Sequence, residues 1–168
     1  MLQGLARVAT VAAGLAATGM AAAQAPLLTT EAELQGTAVP AASETFWAER
    51  GQAATVTGLQ DLSLALRRFV QPDRAAEQGA ITIVSGRTET MLKYKEVVYD
   101  LYRNGWSVYI HDHRGQGLSD RESAVRDQPQ KGHVERFDDF VADLDTALTT
   151  PRLPAGNARR ALCVHSMW

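Results

Sequence analysis

The sequence has little of several features that would fix its class at once. Cys163 is the only cysteine in 168 residues, so no disulfide can form within the chain and no lipid-attachment cysteine follows the N-terminal segment. The charge is nearly balanced, because 17 basic and 19 acidic residues give a net charge of -2. Neither sign forms a long block, which argues against nucleic acid as a partner. No segment repeats, and the composition is that of one globular domain.

An apolar stretch near the N-terminus predicts export. Arg7 precedes an apolar run over residues 8–23 that is rich in alanine and glycine, which is the pattern of a secretory signal. We predict a signal peptide over residues 1–23, because Pro26 would directly follow a cut after Ala25. The alternative is a short membrane anchor, although the run is short for a span. Either interpretation predicts an exported protein, periplasmic or secreted, with membrane association left open.

Hydrophobic periodicity predicts alternating strands and helices in the rest of the chain. Residues 24–54 show no sustained period, so we predict an irregular tether with one helical turn near Phe46 and Trp47. Strand, helix, strand, helix, strand predicts an α/β domain over residues 55–168, with a parallel sheet after a small antiparallel entry. The predicted strands are two joined by a turn over 55–70, then 80–86, 106–113 and 160–166, and the predicted helices are 91–105 and 135–150.

The second predicted helix is amphipathic, and the strand after it is predicted to be buried with Cys163. One stripe of the helix is apolar and is expected to face the core: Phe137, Phe140, Val141, Leu144 and Leu148. The acidic residues are expected on the solvated side: Asp138, Asp139, Asp143 and Asp145.

Ser166 directly follows the last predicted strand, where chemistry is expected in a parallel sheet. A tight strand-to-helix turn there would expose its hydroxyl to a base and an oxyanion site. Such a turn requires small residues two positions before and two positions after the serine. This chain has Val164 and Trp168 at those positions.

Four segments carry a resemblance to a known family. SGRTETMLKY, GWSVYIHDHRGQGLSDR, GHVERFDDFVADL and VHSM occur in this order over residues 81–167. They resemble lysophospholipases and monoacylglycerol lipases of the α/β-hydrolase superfamily, and serine aminopeptidase-like relatives share the same early motifs. The resemblance implies a mostly parallel sheet with flanking helices, incomplete after the nucleophile strand.

The resemblance also implies a serine hydrolase of carboxylic esters that acts on lipid or other acyl-ester substrates. Ser166 stands at the nucleophile position, and the backbone N–H groups of Arg87 and Met167 at the positions of the oxyanion donors. No cofactor is implied. A lipid substrate would bring the protein into peripheral contact with a membrane, and the oligomeric state is left open.

The family places its acidic residue and its histidine base after the nucleophile, whereas only Met167 and Trp168 follow Ser166. We therefore expect this chain to be the N-terminal part of a hydrolase and to be inactive as written. The alternative is a noncatalytic remnant or binding fragment, whose exposed sheet edge would favour aggregation.

The HDHRGQG segment invites two other interpretations. His111, Asp112 and His113 suggest a metal site, but a third ligand at suitable spacing is missing. Gly115 and Gly117 suggest a phosphate-binding turn, but no helix and no Lys-Ser/Thr pair follow. We instead expect the glycines to permit a sharp turn, and Asp112 and Arg114 to pin the loop by hydrogen bonds and an ion pair.

Overall fold

The computed structural model describes residues 28–73, 75–149 and 159–165. The predicted signal segment, Ser166 and Met167 lie outside these ranges. The strands are β1 Gln52–Thr57, β2 Ser63–Phe69, β3 Gly79–Val84, β4 Trp106–His111 and β5 Arg160–Val164. The helices are α1 Glu31–Leu34, α2 Ala38–Arg50, α3 Lys95–Arg103 and α4 Phe137–Thr149. Short 3-10 turns occur at Leu59–Asp61, Met91–Tyr94 and Ser123–Val125.

The strands form one mixed sheet in the order β1-β2-β4-β3-β5. β2 pairs antiparallel with β1 and β4, whereas β3 pairs parallel with β4 and β5. The antiparallel entry and the parallel α/β part predicted from the sequence are therefore confirmed. β4 and β5 lie on either side of β3, for which right-handed crossovers predict helices on opposite faces. The packing agrees, because Val98 of α3 and Ala147 of α4 belong to separate apolar clusters.

One face of the sheet carries the larger apolar core. Alternate residues of β3 and β4 pack against Val98 of α3 and Trp47 of α2. Trp47 also lies against Phe69, with ring centroids 5.0 Å apart. The predicted irregular tether is therefore wrong for α1 and α2. No clear helical period is visible in this segment because α2 buries only Ser43 and Trp47.

The opposite face is covered by α4, and the predicted orientation of that helix is partly wrong. Phe140 and Ala147 are buried as an apolar stripe requires, but Phe137 is 53% exposed and Val141 is 54% exposed. Asp139 and Asp143 are buried instead, while Asp138 and Asp145 are exposed as expected. The physical reason is a buried arginine, Arg114, that both inward carboxylates face.

The last strand, β5, is exposed rather than buried. Leu162 is 51% exposed and Val164 is 62% exposed, and Cys163 is also accessible. The reason is that β5 pairs only with β3 among the residues that the structure describes, so it forms an edge of the described sheet. No helix within the described ranges is both long and apolar enough to cross a membrane.

Candidate active site

The carboxyl ends of β3, β4 and β5 lie side by side. Val84 is in register with His111 on β4 and with Val164 on β5. The register continues past the strands, because the His165 N–H donates to the Val84 carbonyl at 3.0 Å. His165 directly precedes Ser166, so this edge of the sheet is where the sequence places the nucleophile. The roles of Ser166 and Met167 stay predictions, since both lie outside the described residues.

Residues 85–90, which we call the oxyanion loop, leave the end of β3 in a sharp turn. The Glu89 N–H donates to the Gly86 carbonyl at 3.3 Å, and Thr88 has a φ of 63°. The Gly86 N–H is already used, because it donates to Glu89 Oε2 at 2.9 Å. The Arg87 N–H has no acceptor among the described residues, and its role as an oxyanion donor stays a prediction.

Glu89 connects the oxyanion loop to the residue before Ser166. Besides the Gly86 N–H, its carboxylate accepts hydrogen bonds from Lys93 Nζ and Tyr94 Oη, and His165 Nδ1 lies 3.1 Å from Oε2. Lys93 and then Tyr94 lower the pKa of Glu89 from 4.5 to about 2. Glu89 thus stays ionised and holds two separate parts of the site together.

The other half of this hydrogen-bond cluster is Tyr94. Burial, and next the hydrogen bond to Glu89, raise the pKa of Tyr94 from 10.0 to about 12. The phenol therefore remains a donor at every physiological pH. Sequence reasoning missed both residues, although they lie inside the SGRTETMLKY motif that carried part of the resemblance.

Asp112 fastens the region of the oxyanion loop to residues 112–136, the long loop between β4 and α4. Its buried carboxylate accepts hydrogen bonds from the Met91 N–H at 2.6 Å and the Leu118 N–H at 2.9 Å. Burial raises the pKa of Asp112, and these two hydrogen bonds oppose the shift. A Cβ on Gly117 would lie 2.0 Å from Asp112 Oδ2, so this position, with a φ of 49°, requires glycine. Asp112 thus forms the hydrogen bonds to this loop that the sequence predicts, and its role as a loop scaffold stays a prediction.

Arg114 pins the same loop to α4. Its side chain is fully buried and forms a bidentate ion pair with Asp143, with Nε–Oδ2 at 2.6 Å and a terminal nitrogen to Oδ1 at 2.8 Å. The hydrogen bonds to Asp143 raise the pKa of Arg114 further above its ordinary value, so the guanidinium stays charged. Glu122 and Asp139 add carboxylate oxygens 3.3 Å and 3.6 Å from the guanidinium. The predicted ion pair exists, and the prediction that Asp139 and Asp143 are solvated is wrong because they bind Arg114.

Gly115 supplies the turn that the sequence predicts after Arg114. It has a φ of 73°, which is costly for other residues, and a Cβ there would lie 3.1 Å from the His133 carbonyl oxygen. The glycine therefore lets the two ends of the long loop approach each other.

His111 and His113 are buried beneath the site, with ring centroids 4.9 Å apart. Burial lowers the pKa of His111 from 6.5 to about 3, and it lowers the pKa of His113 as well. His113 Nε2 lies 3.1 Å from the Ser85 carbonyl oxygen. The described residues contain no group of three or more His, Cys, Asp or Glu side chains that could hold a metal ion. The two imidazoles are neutral and belong to the scaffold under the oxyanion loop.

A known family matches the region of the chain that contains these motifs. The Hydrolase_4 family model, described as serine aminopeptidase, S33, matches residues 75–167, which is more than half of the chain. The match includes the oxyanion loop, the loop after β4, α4 and the predicted nucleophile.

Individual relatives and structures agree with this match. Lysophospholipase L2 of Escherichia coli is 38% identical over 122 residues, which cover 73% of this chain and 34% of the relative. The probable lysophospholipase L2 of Haemophilus influenzae is 37% identical over 112 residues, which cover 67% of this chain and 34% of the relative. The thioesterase domain from the curacin biosynthetic pathway has a TM-score of 0.52 at 21% identity, covering 69% of this chain and 37% of that one. The chain thus spans about a third of the length of both curated relatives.

Proposed function

This chain belongs to the serine aminopeptidase S33 family of α/β-hydrolases, and on that premise we propose that it carries the nucleophile of a serine hydrolase that cleaves the acyl ester of lysophospholipids. The observation that carries the proposal is the contact of Glu89 with both the Gly86 N–H and His165. This contact brings the oxyanion loop and the residue before Ser166 to one place. A hydrolase of this family needs its nucleophile and oxyanion donors at such a place.

The proposed chemistry follows from these positions. Ser166 Oγ attacks the ester carbonyl, and the backbone N–H groups of Arg87 and Met167 hold the oxyanion that forms. A histidine base takes the hydroxyl proton and gives it to the leaving alcohol as the ester C–O bond breaks, and an acidic residue orients that base. Water, deprotonated by the same base, then attacks the acyl-serine, which releases the fatty acid and restores the serine hydroxyl. In the family order, both the acidic residue and the histidine come after the nucleophile in the chain.

Lysophospholipids are proposed as substrates because both curated relatives are named lysophospholipases, one of them as probable. Monoacylglycerols and aminoacyl amides are the alternatives that the motifs and the family description raise. All three substrate types present a carbonyl carbon to a serine nucleophile. They differ in the group attached to that carbonyl, which the protein must bind next to the serine.

A chimaera tests the proposal. Residues 28–167 replace the matching part of the E. coli relative, whose remaining chain is expected to supply the base and the acid. Lysophosphatidylcholine, monooleoylglycerol and alanine p-nitroanilide are then offered in parallel. We expect fatty acid release from lysophosphatidylcholine, and a loss of about a thousandfold or more on Ser166→Ala.

Ser123→Ala is the matched control, because Ser123 is exposed on a short turn of the long loop. It should leave the rate unchanged. A folded chimaera that remains equally active with Ser166→Ala would overturn the nucleophile assignment. Activity on alanine p-nitroanilide alone would indicate that the substrates are amides rather than esters.

We also propose that the protein is exported, on the strength of Arg7 and the apolar run over residues 8–23. Expression with the native N-terminus, followed by N-terminal sequencing of the periplasmic fraction, is the test. A mature chain that begins at Gln24 supports export by a cleaved signal. An uncleaved chain in the soluble cytoplasmic fraction contradicts it.

A further inference from the structure

A cleft of about 280 Å³ lies beside the oxyanion loop. Thr88 and Thr90 of the oxyanion loop form one wall, and Gln116, Arg121 and Gly132 of the long loop form the other. Gln116 joins the two walls, because its Oε1 accepts a hydrogen bond from the Thr88 N–H. The cleft lies just below the roughly 300–1,000 Å³ of drug-sized sites. It therefore suits a small polar group rather than an acyl chain.

Arg121 lines this cleft, and Arg87 lies at its margin, where its guanidinium reaches the lining residue Gly132; neither side chain has a carboxylate partner among the described residues. Arg121 donates to the Pro129 carbonyl at 3.0 Å, and Arg87 donates to the Gly132 carbonyl at 3.4 Å. Neither arginine forms an ion pair with any carboxylate that the structure describes, and Arg121 Nε is buried without an acceptor. Carbonyl oxygens are neutral, so both positive charges remain uncompensated. An anion in the cleft would be attracted to both.

The one carboxylate among the residues lining the cleft is engaged elsewhere. Glu89 accepts hydrogen bonds from Lys93 and Tyr94, and its Oε2 also faces Gly86 and His165. The ammonium of Lys93 offsets its charge. Repulsion of an anion by Glu89 is therefore weak compared with the attraction of Arg87 and Arg121.

We propose that this cleft is a phosphate subsite that binds the headgroup phosphate of a lysophospholipid, with Arg121 and Arg87 as its charge partners. The choice of a lipid phosphate rests on the proposed function. The geometry supports it through Arg87, whose backbone N–H is the predicted oxyanion donor and whose side chain reaches across to Gly132. One residue would then hold the ester carbonyl at one end and the phosphate at the other, with the glycerol unit between them. Planar guanidinium groups suit this task because they bind phosphate oxygens in pairs.

The test is a binding titration of the full 168-residue chain, followed by NMR of the arginine Nε–Hε and backbone N–H signals. The probes are sn-glycero-3-phosphocholine, inorganic phosphate and uncharged glycerol. We expect sn-glycero-3-phosphocholine to shift the Arg121 and Thr88 signals saturably, and glycerol to leave them in place. Arg121→Gln should weaken binding at least tenfold. Arg121→Lys, which keeps the charge but loses the planar fork, should retain part of it.

Arg126→Gln is the matched control, because Arg126 is exposed on the same loop and lines a different cleft with His133. It should bind like the parent chain. Binding that is unchanged in Arg121→Gln overturns the proposal, and so does inorganic phosphate binding without sn-glycero-3-phosphocholine. The probe has no acyl ester, so the titration does not depend on Ser166. Failure of the hydrolase assignment and failure of this subsite are thus separate results.

Discussion

Glu89 shows how one side chain can hold a site together. Its carboxylate accepts hydrogen bonds from Lys93, Tyr94 and the Gly86 N–H and lies beside His165. These partners favour the ionised form of Glu89. Because the pKa of Glu89 is lower in the folded state, its ionised carboxylate stabilises the fold fully at pH values above the ordinary pKa of 4.5. That stabilisation is lost as the pH falls through about 2.

The first prediction concerns this pKa. Following the Glu89 side-chain carboxyl carbon by NMR should give a pKa of about 2, and Tyr94→Phe should raise it because one hydrogen bond to the carboxylate is removed. Tyr99→Phe is the control, since Tyr99 contacts Phe46 and Arg103 instead. An unchanged Glu89 titration in Tyr94→Phe would contradict the described contact.

A second prediction about pH and stability concerns His111, which is a base whose pKa is lowered in the fold. Its ring is fully buried, neither ring nitrogen has a hydrogen-bond partner among the described residues, and its pKa is about 3 in the fold against 6.5 ordinarily. Between these values the unfolded chain binds a proton that the folded chain does not. The free energy of unfolding should therefore fall by about 1.4 kcal/mol for each pH unit of acidification, from this one group. The loss begins near pH 6.5 and ends near pH 3.

Urea unfolding at a series of pH values measures this slope. His111→Leu should flatten the slope over that window, whereas Ser123→Ala, at an exposed position without a titratable side chain, should leave it as it is. A slope that is the same in the parent chain and in His111→Leu would show that the ring titrates normally in the fold.

At the scale of elements, α4 is held by a buried charge network rather than by its apolar stripe alone. Asp143→Asn leaves Arg114 buried without its bidentate partner, and breaking such a pair costs about 3–5 kcal/mol. Asp145→Asn, two residues along on the exposed side, should cost within about 0.5 kcal/mol. Chemical denaturation followed by circular dichroism compares the two variants. Equal stabilities would mean that Arg114 does not depend on Asp143.

The elements also show what a sequence pattern can reveal. The strands β3 and β4 and the helix α3 were predictable because their apolar residues recur at the periods of a strand and a helix. The orientation of α4 was not, because Phe137 and Val141 look like core residues and hydrophobicity does not show which charges will pair. The helix α2 was missed since it contacts the core mainly through Trp47 and the partly buried Phe46.

At the scale of the whole molecule, the parallel strands bring distant motifs to one edge. The α/β-hydrolase fold was predictable because four motifs occur in a family-specific order. Within the site, the pinning roles of Asp112 and Arg114 were predictable from the loop motif, while Glu89 was not. Its function depends on His165, which lies far away in sequence and is brought close only by the pairing of β3 with β5.

Ser166 is proposed as the nucleophile beside the oxyanion loop, and a covalent label can report on it. The chimaera is treated with a fluorophosphonate, and its peptides are analysed by mass spectrometry. We predict a single adduct on Ser166 that is lost in Ser166→Ala. A chimaera that unfolds cooperatively but carries no adduct, or carries it on another serine, would contradict the assignment of Ser166.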